Sequence, residues 1–79
     1  MKQVLTDIAK AIVDYPDSVV VTEREEGDNV FLELEVAAND MGKVIGKRGK
    51  IANAIRTVIK ASATKENKRV IVNIVSDAE

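Results

Sequence analysis

Residues 42–51, with the sequence GKVIGKRGKI, combine residue types that can hold a phosphate group. Two glycines, Gly46 and Gly49, stand three positions apart and enclose two cations, which are Lys47 and Arg48. Glycine has no Cβ, so another molecule can approach its backbone closely. The free amides at the start of a following helix also favour an anion. The pattern therefore predicts that a sugar-phosphate backbone runs across this segment.

A simple turn between two helices is the alternative interpretation, because glycine is common just past a helix end. A turn does not require two central cations with others nearby, at Lys43, Lys50 and Arg56. We expect Lys43 and Lys50 to widen the positive field around residues 46–49, called the 46–49 loop below. Arg56 and Lys60 are four residues apart on one helix face, where they either extend a nucleic-acid track or remain solvated.

The charges are divided unevenly along the chain. The net charge is −1, but residues 1–42 contain three basic and ten acidic residues, whereas residues 43–79 contain nine basic and three acidic ones. The local field steers an anion more than the net charge does, so the basic half is the candidate for a polyanion. The chain has no Cys and no His, and therefore neither a metal site of the usual kind, nor a cofactor, nor imidazole catalysis is expected.

Six elements in the order αββααβ are expected to position the 46–49 loop. Apolar periodicity and helix-breaking residues predict a helix that ends before Pro16, followed by strands at residues 19–22 and 30–36. They further predict a short helix capped by Asn39 or Asp40, a helix from Ile51 to Ala63, and a strand at residues 69–75. Residues 76–79 are expected to form a flexible tail of a single domain that spans residues 1–79.

Alternation in residues 30–36 sets the fold class. It places Val30, Leu32, Leu34 and Val36 on one strand face. We therefore predict an α+β fold in which three helices pack on one face of a three-stranded sheet. The helix after the loop would contribute a broad apolar stripe that includes Ile51, Ile55, Val58 and Ile59. Apolar residues on the open sheet face, among them Phe31 and Ile71, are a candidate protein-contact patch.

The segment VIGKRG at residues 44–49, in a chain of αββααβ order, resembles the signature loop of type II K homology (KH) RNA-binding domains. The resemblance extends to VDYPD at residues 13–17 and AIRT at residues 54–57, and it is closest to the small single-domain bacterial KH proteins of the KhpA family. It covers essentially the whole chain. One departure is Ala52, where many KH domains have a large aliphatic residue.

The resemblance implies binding of single-stranded RNA, with the loop holding about four nucleotides of backbone. Lys47 and Arg48 would contact phosphates, and Gly46 and Gly49 would let the strand come close. Bases would lie in an adjacent apolar groove. Its candidate residues are Ile45, which adjoins the loop, together with Val44, Ile55 and either Leu34 or Val36. The sequence assigns all of these except Ile45 to the core more readily than to the groove.

The resemblance also implies partners and a cellular role. Proteins of this family form homodimers and pair with a larger KH-domain RNA-binding protein, and the pair is linked to post-transcriptional regulation and to cell elongation and cell shape. An RNA chaperone or regulator in the cytoplasm is therefore expected. No apolar run approaches the length of about 20 residues that spans a bilayer, so no membrane span is expected.

Three other functions stay open. An enzyme is disfavoured, since the candidate acid–base groups lack a histidine, a metal-ligand set and a P-loop. A single-stranded or duplex DNA binder is possible, and a helix-turn-helix would read bases with Lys50, Asn53 and Arg56. A protein-interaction or ribosome-associated module would instead dock a partner on the open sheet face, around Phe31 and Ile71.

Overall fold

The six expected elements follow in the expected order in the computed structural model, which describes residues 1–77. Their bounds are α1 (Lys2–Ile12), β1 (Val20–Glu26), β2 (Asn29–Val36), α2 (Met41–Ile45), α3 (Lys50–Lys65) and β3 (Arg69–Ser76). Three short 3₁₀ turns lie between them, at Pro16–Ser18, Ala38–Asp40 and Lys47–Gly49. The predicted α+β fold is confirmed, although β1 is longer than the predicted strand because its pairing with β2 continues to Glu26.

The sheet has the order β1-β2-β3, with β1 antiparallel to β2 and β3 parallel to it. The central strand β2 presents to the helices the four residues that the alternation predicted, Val30, Leu32, Leu34 and Val36. None of them is more than 1% exposed. Since β3 follows α3 and returns parallel to β2, the helix lies along the sheet and places its first turn beside the 46–49 loop.

The buried stripe of α3 is narrower than the sequence predicts. It consists of Ala52, Ile55, Ile59 and Ala63. Ile51 and Val58 are 37% and 48% exposed, because a rotation of about 100° per residue places them on the neighbouring helix face. There they line an open apolar depression together with Ile8 and Ile12 of α1, and we call this surface the α1–α3 apolar face.

Asp40 does not cap α2 with its side chain, and that prediction was wrong. It occupies the N-cap position, but its carboxylate accepts hydrogen bonds from the backbone N–H groups of Asp14 and Tyr15, each at 3.0 Å. Those two donors lose their helical partners where α1 ends before Pro16. Asp40 is fully buried, and a buried carboxylate is stable only when such donors surround it.

The chain end departs from the predicted tail. Ser76 lies in β3, and the backbone N–H of Asp77 donates to the carbonyl of Val36 at 2.8 Å. The Asp77 carboxylate in turn accepts from the N–H of Ala38 at 3.2 Å. The remainder of the predicted tail, residues 78–79, lies outside the described residues. Within residues 1–77, no helix has the length and apolar character needed to cross a membrane.

The open face of the sheet offers less apolar surface than the sequence predicts. Phe31 is half-buried, because the guanidinium of Arg24 lies 4.8 Å from the centre of its ring. Its neighbour on β3, Ile71, is 47% exposed, and Val75 is half-buried. The α1–α3 apolar face is therefore the more apolar of the two open surfaces.

Candidate nucleic-acid interface

The backbone of the 46–49 loop favours glycine at both ends, and packing gives a second reason for glycine at Gly46. Gly46 has φ 75° and Gly49 has φ 74°, a region that residues with a Cβ rarely adopt. A Cβ on Gly46 would also lie 2.6 Å from Cγ1 of Ile51, which is closer than real contacts allow. A Cβ on Gly49 would meet no heavy atom within 4 Å. The backbone at Gly49 is therefore open to a ligand, whereas the backbone at Gly46 is packed against α3.

Arg48 adopts a strained backbone conformation inside the loop. Its φ of 58° and ψ of 27° place a bulky residue in the left-handed region, at a cost of about 1–2 kcal/mol. The side chain is exposed and forms no ion pair within residues 1–77. No ion pair of Arg48 within residues 1–77 thus offsets the backbone strain. A role for the guanidinium in binding would account for an arginine at this position.

The cations at the loop are accessible. Lys47, Arg48 and Lys50 are all exposed, and none of the three is paired with a carboxylate in the described part of the chain. They project where α2 ends and α3 begins. The loop is therefore free on its outer side and carries a concentrated positive charge.

Lys43 is engaged within the chain. Its ammonium donates a hydrogen bond to the carboxylate of Asp14 and forms an ion pair with it. This hydrogen bond, together with attraction from Asp14 and Asp40, raises the pKa of Lys43 above its ordinary value, although partial desolvation opposes the shift. The lysine stays charged, but much of its field is neutralised by Asp14.

The aliphatic residues that the sequence offered for the groove are mostly in the core. Val44, Leu34 and Val36 are fully buried, and Ile55 is 3% exposed. Ile45 is 36% exposed beside the loop. Of these five, Ile45 is the residue that a base can reach.

A cleft with apolar residues in its walls lies between α3 and β3. It is lined by Arg56, Lys60, Val70, Ile71 and Val72, and we call it the α3–β3 cleft. The Nε of Arg56 donates to the carbonyl of Val72 at 3.2 Å and links the helix to the strand. Arg56 and Lys60 therefore border a cleft on the side of α3 that faces β3, and both interpretations of this helix face stay open here. The four-residue spacing indicated the cations, but no sequence signal showed that β3 would lie against them.

The outer edge of β3 borders this cleft. Backbone N–H groups of Arg69 and Asp77 donate to Asp28 and Val36, so the odd-numbered residues of β3 pair with β2. Both polar backbone groups of Val70 and Val72 then point to the unpaired edge of the sheet. Apart from the Val72 carbonyl, which accepts from Arg56, these groups have no hydrogen-bond partner within residues 1–77.

A second depression continues the cleft towards the start of β3. Lys60, Lys68 and Arg69 contribute to its lining. Lys68 donates to the carboxylate of Glu25 at 2.9 Å, and this hydrogen bond raises its pKa above the ordinary value. Lys60 and Arg69 are exposed and have no carboxylate partner in the part of the chain that the structure describes.

Comparison with known families gives one match over nearly the whole chain. The family model described as KhpA/KhpB, KH domain, matches residues 2–74. The chain is similar to the RNA-binding protein KhpA of Clostridium acetobutylicum, with 63% identity over 95% of this chain and 100% of that protein. It is also similar to the RNA-binding protein KhpA of Caldanaerobacter subterraneus, with 56% identity and the same coverage. None of these names is that of an enzyme, in agreement with the sequence analysis.

Solved structures show the same fold at much lower identity. Era in complex with MgGDPNP and nucleotides 1506–1542 of 16S ribosomal RNA superposes with a TM-score of 0.66 and 16% identity. Aquifex aeolicus Era bound to GDP.AlF4− gives a TM-score of 0.68 and 19% identity. In both cases the match covers 95% of this chain and 29% of the Era chain. At such identities the likeness shows the fold alone.

Proposed function

The chain belongs to the KhpA/KhpB KH-domain family, and from this premise we propose that it binds single-stranded RNA through the 46–49 loop and the α3–β3 cleft. The observation that carries the proposal is the loop itself. Lys47 and Arg48 are exposed and unpaired among the described residues, and Gly49 leaves the backbone between them and α3 open. Phosphates would contact these cations, and bases would lie in the cleft.

The proposed strand follows the positive charge away from the loop. Lys50 begins α3, and Arg56 and Lys60 follow on the side that faces β3. The cleft supplies apolar contact from Val70 and Ile71. Bases that lie there can hydrogen-bond with the backbone N–H and C=O groups at the outer edge of β3. The bases of a duplex cannot do so, because their hydrogen-bonding edges are already paired.

Binding should depend strongly on salt. The chain has two aromatic residues, of which Phe31 lies beneath Arg24 on the open face of the sheet. Tyr15 is 51% exposed, but its backbone is held at the end of α1 by Asp40. Without an aromatic platform in the cleft, base stacking adds little, and the affinity depends on phosphate contacts.

Fluorescence anisotropy with a labelled single strand of about ten nucleotides tests the proposal. Lys47→Asp and Arg48→Asp together should weaken binding at least about tenfold and make the salt dependence shallower by about 1.4 in log–log slope. The matched control is Lys2→Asp with Lys10→Asp, since both lysines are exposed on α1 and the charge change is the same. An equal loss of RNA affinity in the two double variants, with folds intact by circular dichroism, would contradict the proposed site. Tighter binding of duplex DNA than of single-stranded RNA would favour the helix-turn-helix interpretation.

The family resemblance predicts homodimers, and we further propose that two copies associate through the α1–α3 apolar face. The lining of this face includes Ile8, Ile12, Ile51 and Val58, and among the described residues that line it Lys50 is the one that carries a charge. A two-fold arrangement would bury the same surface of both copies at once. The same face would serve in a heterodimer with the KH domain of a larger RNA-binding protein. RNA chaperoning, cytoplasmic post-transcriptional regulation and a link to cell elongation and cell shape stay predictions from the resemblance.

A further inference from the structure

The ion pair between Lys43 and Asp14 has a consequence for RNA affinity that rests on the proposed function. We propose that Asp14 competes with RNA phosphates for Lys43 and thereby weakens binding at the 46–49 loop. Lys43 lies in α2, three residues before Gly46 and four before Lys47. With a rise of about 1.5 Å per residue, its backbone is less than one helical turn from the loop.

Asp14 is held in position by the fold. Its backbone N–H donates to the buried carboxylate of Asp40, and the preceding residue, Val13, is 8% exposed. The N–H of Tyr15 donates to the other oxygen of the same carboxylate. The backbone that carries Asp14 is thus held on both sides of its Cα, which keeps the Asp14 side chain within reach of Lys43.

A phosphate must displace Asp14 to reach Lys43. The ion pair is exposed to water, because the side chains of Lys43 and Asp14 are 42% and 67% exposed. An exposed ion pair of this kind changes an equilibrium by about two- to fivefold. Asp14 thus lowers RNA affinity by a modest factor, and the site has one fewer phosphate contact than its sequence suggests.

The test compares Asp14→Asn with Asp17→Asn. Asp17 is exposed in the adjacent 3₁₀ turn and has no cation partner within residues 1–77, so both variants remove the same formal charge. Asp14→Asn should bind single-stranded RNA about two- to fivefold more tightly than Asp17→Asn. Its salt dependence should be steeper by about 0.7 in log–log slope, because one further phosphate is neutralised.

A double-mutant cycle with Lys43→Gln assigns the gain to the pair. In the wild-type background Lys43→Gln should change affinity less than about twofold, whereas in the Asp14→Asn background it should remove the whole gain. Equal affinities of Asp14→Asn and Asp17→Asn, in proteins that do bind RNA, would overturn the competition while leaving the proposed function intact. Absence of RNA binding by all the variants and by the wild type would overturn both.

Discussion

Ile51 occupies the space into which a Cβ on Gly46 would project, and its Cγ1 would be 2.6 Å from that atom. The first apolar residue of α3 thus packs against the backbone at the end of α2. This contact holds together the two helices that carry the 46–49 loop. It also gives Gly46 a structural role in addition to the one the sequence analysis assigned.

Gly46→Ala should destabilise the protein by about 2–4 kcal/mol, because a positive φ and an overpacked contact both oppose the methyl group. Gly49→Ala should cost only about 1–2 kcal/mol, since it has the same φ but open space around it. Gly42→Ala is the control, as it lies inside α2 with open space around it and should be neutral or stabilising by up to about 1 kcal/mol. Urea denaturation ranks the three, and equal losses for Gly46 and Gly49 would contradict the packing argument.

Replacement of Asp40 should be costly without any contact to RNA. Asp40→Ala leaves the N–H groups of Asp14 and Tyr15 without an acceptor and should lower the free energy of unfolding by about 2–4 kcal/mol. Asp40→Asn keeps one acceptor oxygen and should lose about half as much. Asn39→Ala, at an exposed neighbouring position, should change stability by less than about 0.5 kcal/mol. A mild effect of Asp40→Ala in thermal or urea denaturation would show that water replaces the carboxylate.

Val58→Asp should weaken self-association by at least about tenfold, because it places a charge in the α1–α3 apolar face. Thr57→Asp is the matched control, being exposed one position earlier on α3 but absent from the lining of that face. Sedimentation velocity measures both across a concentration series. Wild-type protein that stays monomeric, or an equal effect of the control, would contradict the proposed dimer surface.

The ion pair of Lys68 with Glu25 should make stability fall at alkaline pH. The hydrogen bond from Lys68 to Glu25 raises the folded-state pKa of the lysine above its ordinary value of 10.5. A group whose pKa is higher in the folded than in the unfolded state contributes its full stabilisation below the unfolded pKa and loses it as the pH rises through the folded pKa.

The difference in urea midpoint between the wild type and Lys68→Gln should therefore stay constant up to about pH 10 and disappear as the pH rises further. Lys65→Gln is the control, since Lys65 is exposed and has no carboxylate partner in the described part of the chain. A difference that persists well above the lysine pKa would mean that the side chain stabilises the protein by packing and not by its charge.

Sequence reasoning succeeded where a pattern is local. Alternation in β2 identified its buried face, and the spacing of Gly46 and Gly49 identified an exposed loop between two helices. It failed where a partner is distant in the chain. Asp40 has the sequence context of a helix cap, and only the fold brings the donors of Asp14 and Tyr15 to it.

The same limit explains the other differences. By sequence, Lys43 counts as one more cation near the loop, because nothing in the sequence indicates that Asp14 pairs with it. Ile51 and Val58 match a helical stripe by spacing, but the orientation of α3 on the sheet decides which side of the stripe is buried. The α3–β3 cleft depends on which strand lies at the edge of the sheet, and periodicity does not specify strand order.

The parallel pairing of β2 with β3 bears on how quickly the protein folds. Asn29 pairs with Arg69 and Val36 pairs with Ser76, so every rung of this ladder joins residues separated by the whole of α2 and α3. Closing so long a segment costs chain entropy before any rung forms, and it slows folding relative to a helical protein of similar size. During synthesis, one edge of β2 therefore stays unpaired after the β1–β2 hairpin has formed, until β3 has left the ribosome.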